Sequence, residues 1–516
     1  MIKQILSKNN IIKIFLILLF IIIVAGSTIN TNFGLKILIL VIAAVIGLII
    51  LNNPWHGFLL TIFSLPFLNV GTIQIGITLL PSQFLGAITL IAFILSNILF
   101  KKNRFVKVPY FTLLLIFFLI VIFVSLINYP RLLMKDSPEM WGGIARNPSG
   151  RTIAQIISLG LMIGIYFLTV NILNSQKRLP TAIKILLLST FLISLYGFYQ
   201  FVGFFFDLPF TASTYRVISG SWESSGMTPG VTASIPITAR IKELSGIAPG
   251  IIRVASVVGE PKSLAFFLMP IIFLFLSLIV LKQRPFKSRF FSILSFISFL
   301  VIFILTFSRA AWALSIPILF LSLILIFRYL KNPQKKMKLI FKIIIILLAS
   351  YCVVHGIFAI FGYNLTLFLT PRTQSMSAAW QSSMDYPQLQ TTLNLIPKNL
   401  IFGVGWGNAT FYLPYFGYVT FAPNLYLNIL FETGIFGLSI FLIFLGALLL
   451  STWRALKKIE DTAWQKLILS LFVAVLSLLI CLLYVSWWTN NPFLWVLIGM
   501  LAASVKLGLQ KEKSLC

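Results

Sequence analysis

Arginine is permanently charged, so one set alone in apolar sequence is a candidate for ion-pair or ligand-binding chemistry. Two arginines of this chain stand out by their isolation. Between Phe290 and Phe327, Arg309 is the sole formal charge, within Thr306-Phe307-Ser308-Arg309-Ala310-Ala311-Trp312. An unpaired guanidinium in so apolar a hairpin costs several kcal/mol, so it calls for a partner or a ligand. Snorkelling or a structural ion pair is the plainer use. Arg253 lies in Ile251-Ile252-Arg253-Val254, just upstream of Gly259-Glu260-Pro261. Glu260-Pro261 reads as a helix start, and Arg253 and Glu260 either pair with each other or face a substrate.

Two further segments carry polar groups into apolar surroundings. Gly403-Val404-Gly405-Trp406-Gly407-Asn408 has glycine at alternate positions but no strand–loop–helix context, so it is not a nucleotide loop. A tight, backbone-exposing turn is expected there. Asn424, Asn428 and Glu432 fall at i, i+4 and i+8, giving one helix a polar face. Glu432 lies a turn or two inside an apolar run, where it is protonated, paired with a basic group, or lining a cavity. His56 and His355 are isolated, and Cys352, Cys481 and Cys516 have neither metal nor disulfide spacing. That excludes a His-cluster metal centre, and no metal or cofactor is expected.

What must position these segments is a membrane. Of the 516 residues, 59% are hydrophobic and only 10% charged, whereas a soluble globule needs about a quarter of its residues charged. Apolar runs of bilayer-crossing length recur along the chain and predict one all-α polytopic domain over residues 1–516. It has about 14 transmembrane helices, 12 to 14 allowing for ambiguity. Among them are Phe84–Phe100, Tyr110–Asn128, Ile153–Leu173, Ile183–Phe206, Leu264–Leu281, Phe290–Phe307, Ala310–Leu330 and Leu425–Leu450. Phe58–Val70 is short, carries Pro66, and is either broken or continued through Gly71–Leu80.

The net charge of +29 would suggest nucleic acid in a soluble protein. Here, with the amino terminus inside, 27 of the 40 basic residues fall on cytoplasmic turns, and seven of the 11 acids fall outside. That is the positive-inside pattern with both termini cytoplasmic, and no nucleic acid partner is implied. The basic first span (Lys3, Lys8, Lys13) is read as an uncleaved helix rather than a signal peptide. The long loops lie outside, at residues 129–152, 207–263 and 363–423, and are expected to be partly helical. Any active site would then face away from the cytosol and its nucleotide-sugar donors.

Taken in order, these segments resemble the O-antigen ligase and polymerase superfamily of bacterial integral membrane glycosyltransferases. The matching pieces span about residues 250–440: Arg253 with Gly259 and Pro261; Ser308, Arg309, Ala310 and Trp312; Arg372 with Trp380; Gly403, Gly405 and Gly407; and Asn424, Tyr426, Leu427, Glu432 and Gly434. The resemblance implies a metal-independent, inverting transferase in the inner membrane. It would move a glycan from undecaprenyl diphosphate to a hydroxyl of a glycan or lipid-linked acceptor on the periplasmic face. Arg253 and Arg309 match the family's diphosphate-binding arginines, Arg372 is a third candidate, and Asn424 and Tyr426 are further substrate contacts. The family's usual catalytic histidine is replaced by Pro423. The base is then sought among carboxylates: Glu260 is favoured over Glu223 and Asp385, and Glu432 is too deep. Alternatives are a lipid-linked oligosaccharide flippase, disfavoured by long outer loops and few mid-span charges, and a non-catalytic component of a polysaccharide assembly machine. The acceptor, and with it ligase against polymerase against protein glycosylation, is not written in the sequence.

Overall fold

The computed structural model describes residues 46–68, 73–74, 78–100, 110–128, 148–206, 254–329, 333–360, 385–413, 422–486 and 490–515. They form helices almost throughout: α1 (Pro54–Ser64), α2 (Pro81–Phe100), α3 (Leu113–Ser125), α4 (Pro148–Ile172), α5 (Arg178–Phe206), α6 (Pro261–Val280), α7 (Arg289–Leu305), α8 (Arg309–Tyr329), α9 (Pro333–Ile360), α10 (Asp385–Leu395), α11 (Leu425–Lys458), α12 (Thr462–Cys481) and α13 (Pro492–Leu515). Among the described residues, seven of these are long and apolar enough to cross a membrane, and three shorter apolar helices accompany them. A chain in lipid satisfies its backbone within helices, which is why apolar runs and helices coincide so closely.

The ambiguous run after residue 58 is broken. α1 starts from Asn53, whose side chain accepts from the Trp55 N–H at 3.1 Å, and ends at Ser64. The stretch beyond it contains a two-stranded antiparallel ribbon, Ile73–Gln74 paired with Thr78–Leu79, rather than more helix. α4 departs from expectation in the other direction. It begins at Pro148, so Arg151 and Thr152, assigned by sequence to an outer loop, lie in its first turns and are buried.

The core is built on α6, α12 and α13. α6 packs along α12 and also contacts α7 and α8; α12 contacts α8, α11 and α13; α13 packs on α4. Rings lock these seams, with Phe267 and Phe493 at 4.7 Å and Phe275 at 5.6 Å from Phe299. Outward faces of α3, α7, α8 and α9 remain apolar, for example Phe117, Phe290, Phe320 and Phe341, as a lipid-facing surface requires. Val254 ahead of α6 bonds Leu305 at the end of α7, Tyr329 at the end of α8 reaches the Thr462 carbonyl at the start of α12, and Leu425 at the start of α11 bonds Leu482 just past α12, so these helices alternate in direction. Arg178, the Lys282–Arg289 cluster, Arg328, and Lys457 with Lys458 therefore collect at one end of the bundle. The polar turns of interest collect at the other.

Candidate active site

At that second end, two corners are assembled. The first joins the segment after Arg253 to the Arg309 hairpin. The Val254 N–H donates to the carbonyl of Leu305 at 3.0 Å, so the chain leaving Arg253 is fastened to the last turn of α7, beside the turn that opens α8 at Arg309. Phe307 in that turn has φ +48°, and Ser256 in the facing segment has φ +50°. Such left-handed values are uncommon outside glycine and mark backbone held by its surroundings. The holding groups are visible. Gln200 of α5 accepts with Oε1 from the Ala255 and Ser256 N–H groups at 3.2 and 2.9 Å, and the Ser256 hydroxyl donates to the Ile193 carbonyl at 2.6 Å. Phe307 packs edge-on against Trp312 at 5.8 Å, and Thr306 donates to the Phe303 carbonyl at 2.7 Å.

From the same corner Gly259, at φ +90°, turns the chain into α6. Glu260 is its N-cap in extended conformation, with Pro261 in the first turn, as the sequence predicts. Its carboxylate accepts from the Ser263 hydroxyl at 2.7 Å rather than from a backbone N–H. Both Glu260 and Arg309 are exposed.

The second corner is the glycine turn, seated on a break in α11. Gly434 has φ +70° and ψ −170°, which interrupts the helix. The backbone groups released by the break are taken up by the turn: Val404 N–H donates to Phe431 O and Gly405 N–H to Glu432 O, both at 2.9 Å, and Ile435 N–H donates to Leu400 O at 2.8 Å. Exchange of this kind is how non-helical backbone survives at membrane depth. Glu432 is buried and accepts from the Ala409 N–H at 3.2 Å, with Gly407 and Asn428 as further donors. Arg151 is the basic group whose charge acts on Glu432 across the turn.

Arg151 donates from Nε to the Gly407 carbonyl at 2.6 Å, Thr152 donates to Asn408 Oδ1 at 3.0 Å, and the Trp406 indole donates to the Gln155 carbonyl at 3.3 Å. Gln155 also receives a hydrogen bond from Asn490, whose carbonyl accepts from Gln83 at 2.6 Å. Sequence reasoning missed α4 as part of this corner. The available signal was a polar face, Arg151 and Gln155 at i and i+4, at the start of an apolar span.

The corners are linked through α12. The Leu425 N–H donates to the Leu482 carbonyl at 3.1 Å, and the Tyr426 hydroxyl donates to the Leu479 carbonyl at 2.8 Å. Asn424 caps α11 by accepting from the Leu427 N–H at 2.8 Å. Asn424 and Tyr426 thus have structural work at this end of the bundle. Arg253, Arg372 and Glu223 lie outside the described residues. Asp385 is the first residue of α10, so the stretch 363–423 is helical in part, as expected. No group of three or more His, Cys, Asp or Glu that could hold a metal occurs among the described residues.

Compared with known proteins, residues 293–442 match the family model described as O-antigen ligase. No curated protein matches the chain. The matched region contains the Arg309 hairpin, the glycine turn and the broken start of α11. It stops short of the Arg253–Pro261 corner and of α4. It supports the O-antigen ligase superfamily for this multi-pass membrane chain.

Proposed function

We propose that this chain, with its O-antigen ligase match, is a membrane glycosyltransferase. It moves a glycan from undecaprenyl diphosphate to a hydroxyl acceptor on the periplasmic side of the inner membrane. The observation that supports this best is the hydrogen bond from Val254 to Leu305, because it ties the backbone next to Arg253 to the hairpin of Arg309. Arginines carried by the two segments so tied suit a diphosphate, whose oxygens gain charge as it leaves. In the reaction, the acceptor oxygen bonds to the anomeric carbon as the bond from that carbon to the phosphate oxygen breaks. The acceptor proton passes to the base, and the lipid diphosphate departs with the bonding pair. Attack opposite the leaving group inverts the anomeric centre. In this reading Arg253 and Arg309 clamp the diphosphate with Arg372 as a third contact, Asn424 and Tyr426 line the donor, and Glu260 receives the proton.

The test is transfer by purified protein from an undecaprenyl-diphosphate glycan to candidate acceptors. Arg309→Ala and Arg253→Ala should each lower transfer by about a hundredfold or more, the scale lost when one stabilising donor of a transition state is removed. Glu260→Gln should abolish turnover while donor binding persists. Full activity in both arginine variants would remove the clamp, and full activity in Glu260→Gln would remove that base. Pro423, standing where the family places a histidine, favours a second reading as a non-catalytic component of an assembly machine. In that case the wild type binds the donor and transfers nothing.

A further inference from the structure

We infer that Lys262 is a further contact for the donor's diphosphate, held ready by the ring of Tyr484. The inference rests on the function proposed above and adds a residue that neither the family match nor the sequence motifs assign. Lys262 is the second residue of α6, past Glu260 and Pro261, and Arg309 is the first residue of α8. α6 and α8 pack together, and α12 packs against both. The two cations therefore start neighbouring helices at the same end of one three-helix group.

Two features prepare Lys262 for an anion. Its ammonium nitrogen lies 4.4 Å from the centroid of the Tyr484 ring, just beyond α12. That ring is itself fixed, because Phe266, one turn along the same face of α6, packs on it at 5.6 Å. A lysine stem otherwise loses rotamer entropy when it binds, and a cation–π contact supplies part of that ordering in advance. In addition, the N-cap residue Glu260 does not cap the first N–H groups of α6, since its carboxylate is turned to the Ser263 hydroxyl. Uncapped N–H groups at the start of a long helix favour negative charge nearby. Lys262 is half-buried beside Tyr484.

The experiment titrates undecaprenyl diphosphate, and separately undecaprenyl monophosphate, into the full chain in nanodiscs of zwitterionic lipid. Wild type is compared with Lys262→Ala, Lys262→Met, Lys262→Arg and Arg309→Ala. Lys262→Ala and Lys262→Met should each weaken diphosphate binding about tenfold, the loss expected for one charge-assisted contact. The loss for the monophosphate should be smaller, and Lys262→Arg should stay within about threefold of wild type for the diphosphate. Tyr484→Phe, which keeps the ring, should bind normally, whereas Tyr484→Leu should show part of the loss. If Lys262→Ala and Lys262→Met bind like wild type while Arg309→Ala does not, the Lys262 assignment is overturned and the proposed function stands. If wild type fails to bind the diphosphate lipid, both fall together. Repeating the titration with phosphatidylglycerol in the disc separates a general anionic headgroup site. A Lys262→Ala defect confined to phosphatidylglycerol would also overturn the assignment.

Discussion

Gly403 and Gly434 face each other across the seam between the glycine turn and α11, and each explains why the other is glycine. A Cβ on Gly403 would strike the backbone of Glu432 and Thr433, and one on Gly434 would strike the backbone of Ile401 and Phe402. Both also hold positive φ, +69° and +70°, which side chains with a Cβ rarely adopt. The Glu432 carbonyl is held by the Gly405 N–H, and Ile401 directly follows Leu400, whose carbonyl is held by the Ile435 N–H, so neither obstacle moves without disturbing the hydrogen bonds that heal the break in α11. Gly434→Ala is therefore expected to cost about 3 kcal/mol or more, as strain and lost hydrogen bonds combine. Gly160→Ala is the matched control. It lies inside α4 with nothing near its missing Cβ, and should be neutral or stabilising by up to about 1 kcal/mol. Thermal unfolding in detergent, followed by size-exclusion chromatography, measures both. A Gly434→Ala variant as stable as Gly160→Ala would mean that the break is not held as described. Alternating glycines in the sequence indicate a tight turn, but nothing local says that the turn serves as hydrogen-bond partner to a helix some thirty residues downstream.

At the scale of elements, the corner that joins the segment after Arg253 to the Arg309 hairpin is held in part from outside the matched region. α5 contributes one side chain, Gln200, which accepts from two consecutive N–H groups in the strained segment after Arg253. Removing it leaves two largely buried donors unpaired, at about 1–3 kcal/mol each. That cost falls on the corner and not on the helices, whose packing Gln200 does not supply. Gln200→Ala should thus lower transfer by about tenfold or more while the melting temperature shifts by only a few degrees. Transfer rate and melting curve on one preparation separate the two effects, and unchanged transfer would detach this segment from the site. Helices were legible from residues alone, since hydropathy adds up along a run: α6 and α7 begin within a few residues of the expected Leu264 and Phe290. Glu260-Pro261 and Asn424 were legible as helix starts for the same local reason. Gln200 was not, because a lone glutamine in an apolar helix has no spacing to betray its partner, and the partner is 55 residues away. Arg151 was mistaken for a loop residue because its charge outweighed the helical turn beneath it.

At the scale of the whole molecule, the basic residues sort by the ends of the bundle. The basic ends of α8 and α11 and the Lys282–Arg289 turn lie at one end of the bundle, and the Arg309 hairpin, Glu260 and the glycine turn at the other. If basic residues stay on the cytoplasmic side, the first end faces the cytosol and the candidate site faces out. The chain supplies its own probes for this. Cys516 ends the chain, Cys481 is buried, and Cys352 lies on an exposed face of α9. In a Cys352→Ser, Cys481→Ser background, Cys516 alone remains. A membrane-impermeant maleimide should then label inverted vesicles and spare intact spheroplasts. Adding Ala310→Cys with Cys516→Ser should reverse the result, because residue 310 follows Arg309 at the start of α8. Labelling of both positions from one side would refute the alternation of helices. Labelling with the sides exchanged would keep the fold and place the arginines in the cytosol, where a lipid-linked donor already carried across the membrane could not reach them. The same two cysteines therefore decide whether the isolated arginines are available to the proposed substrate at all.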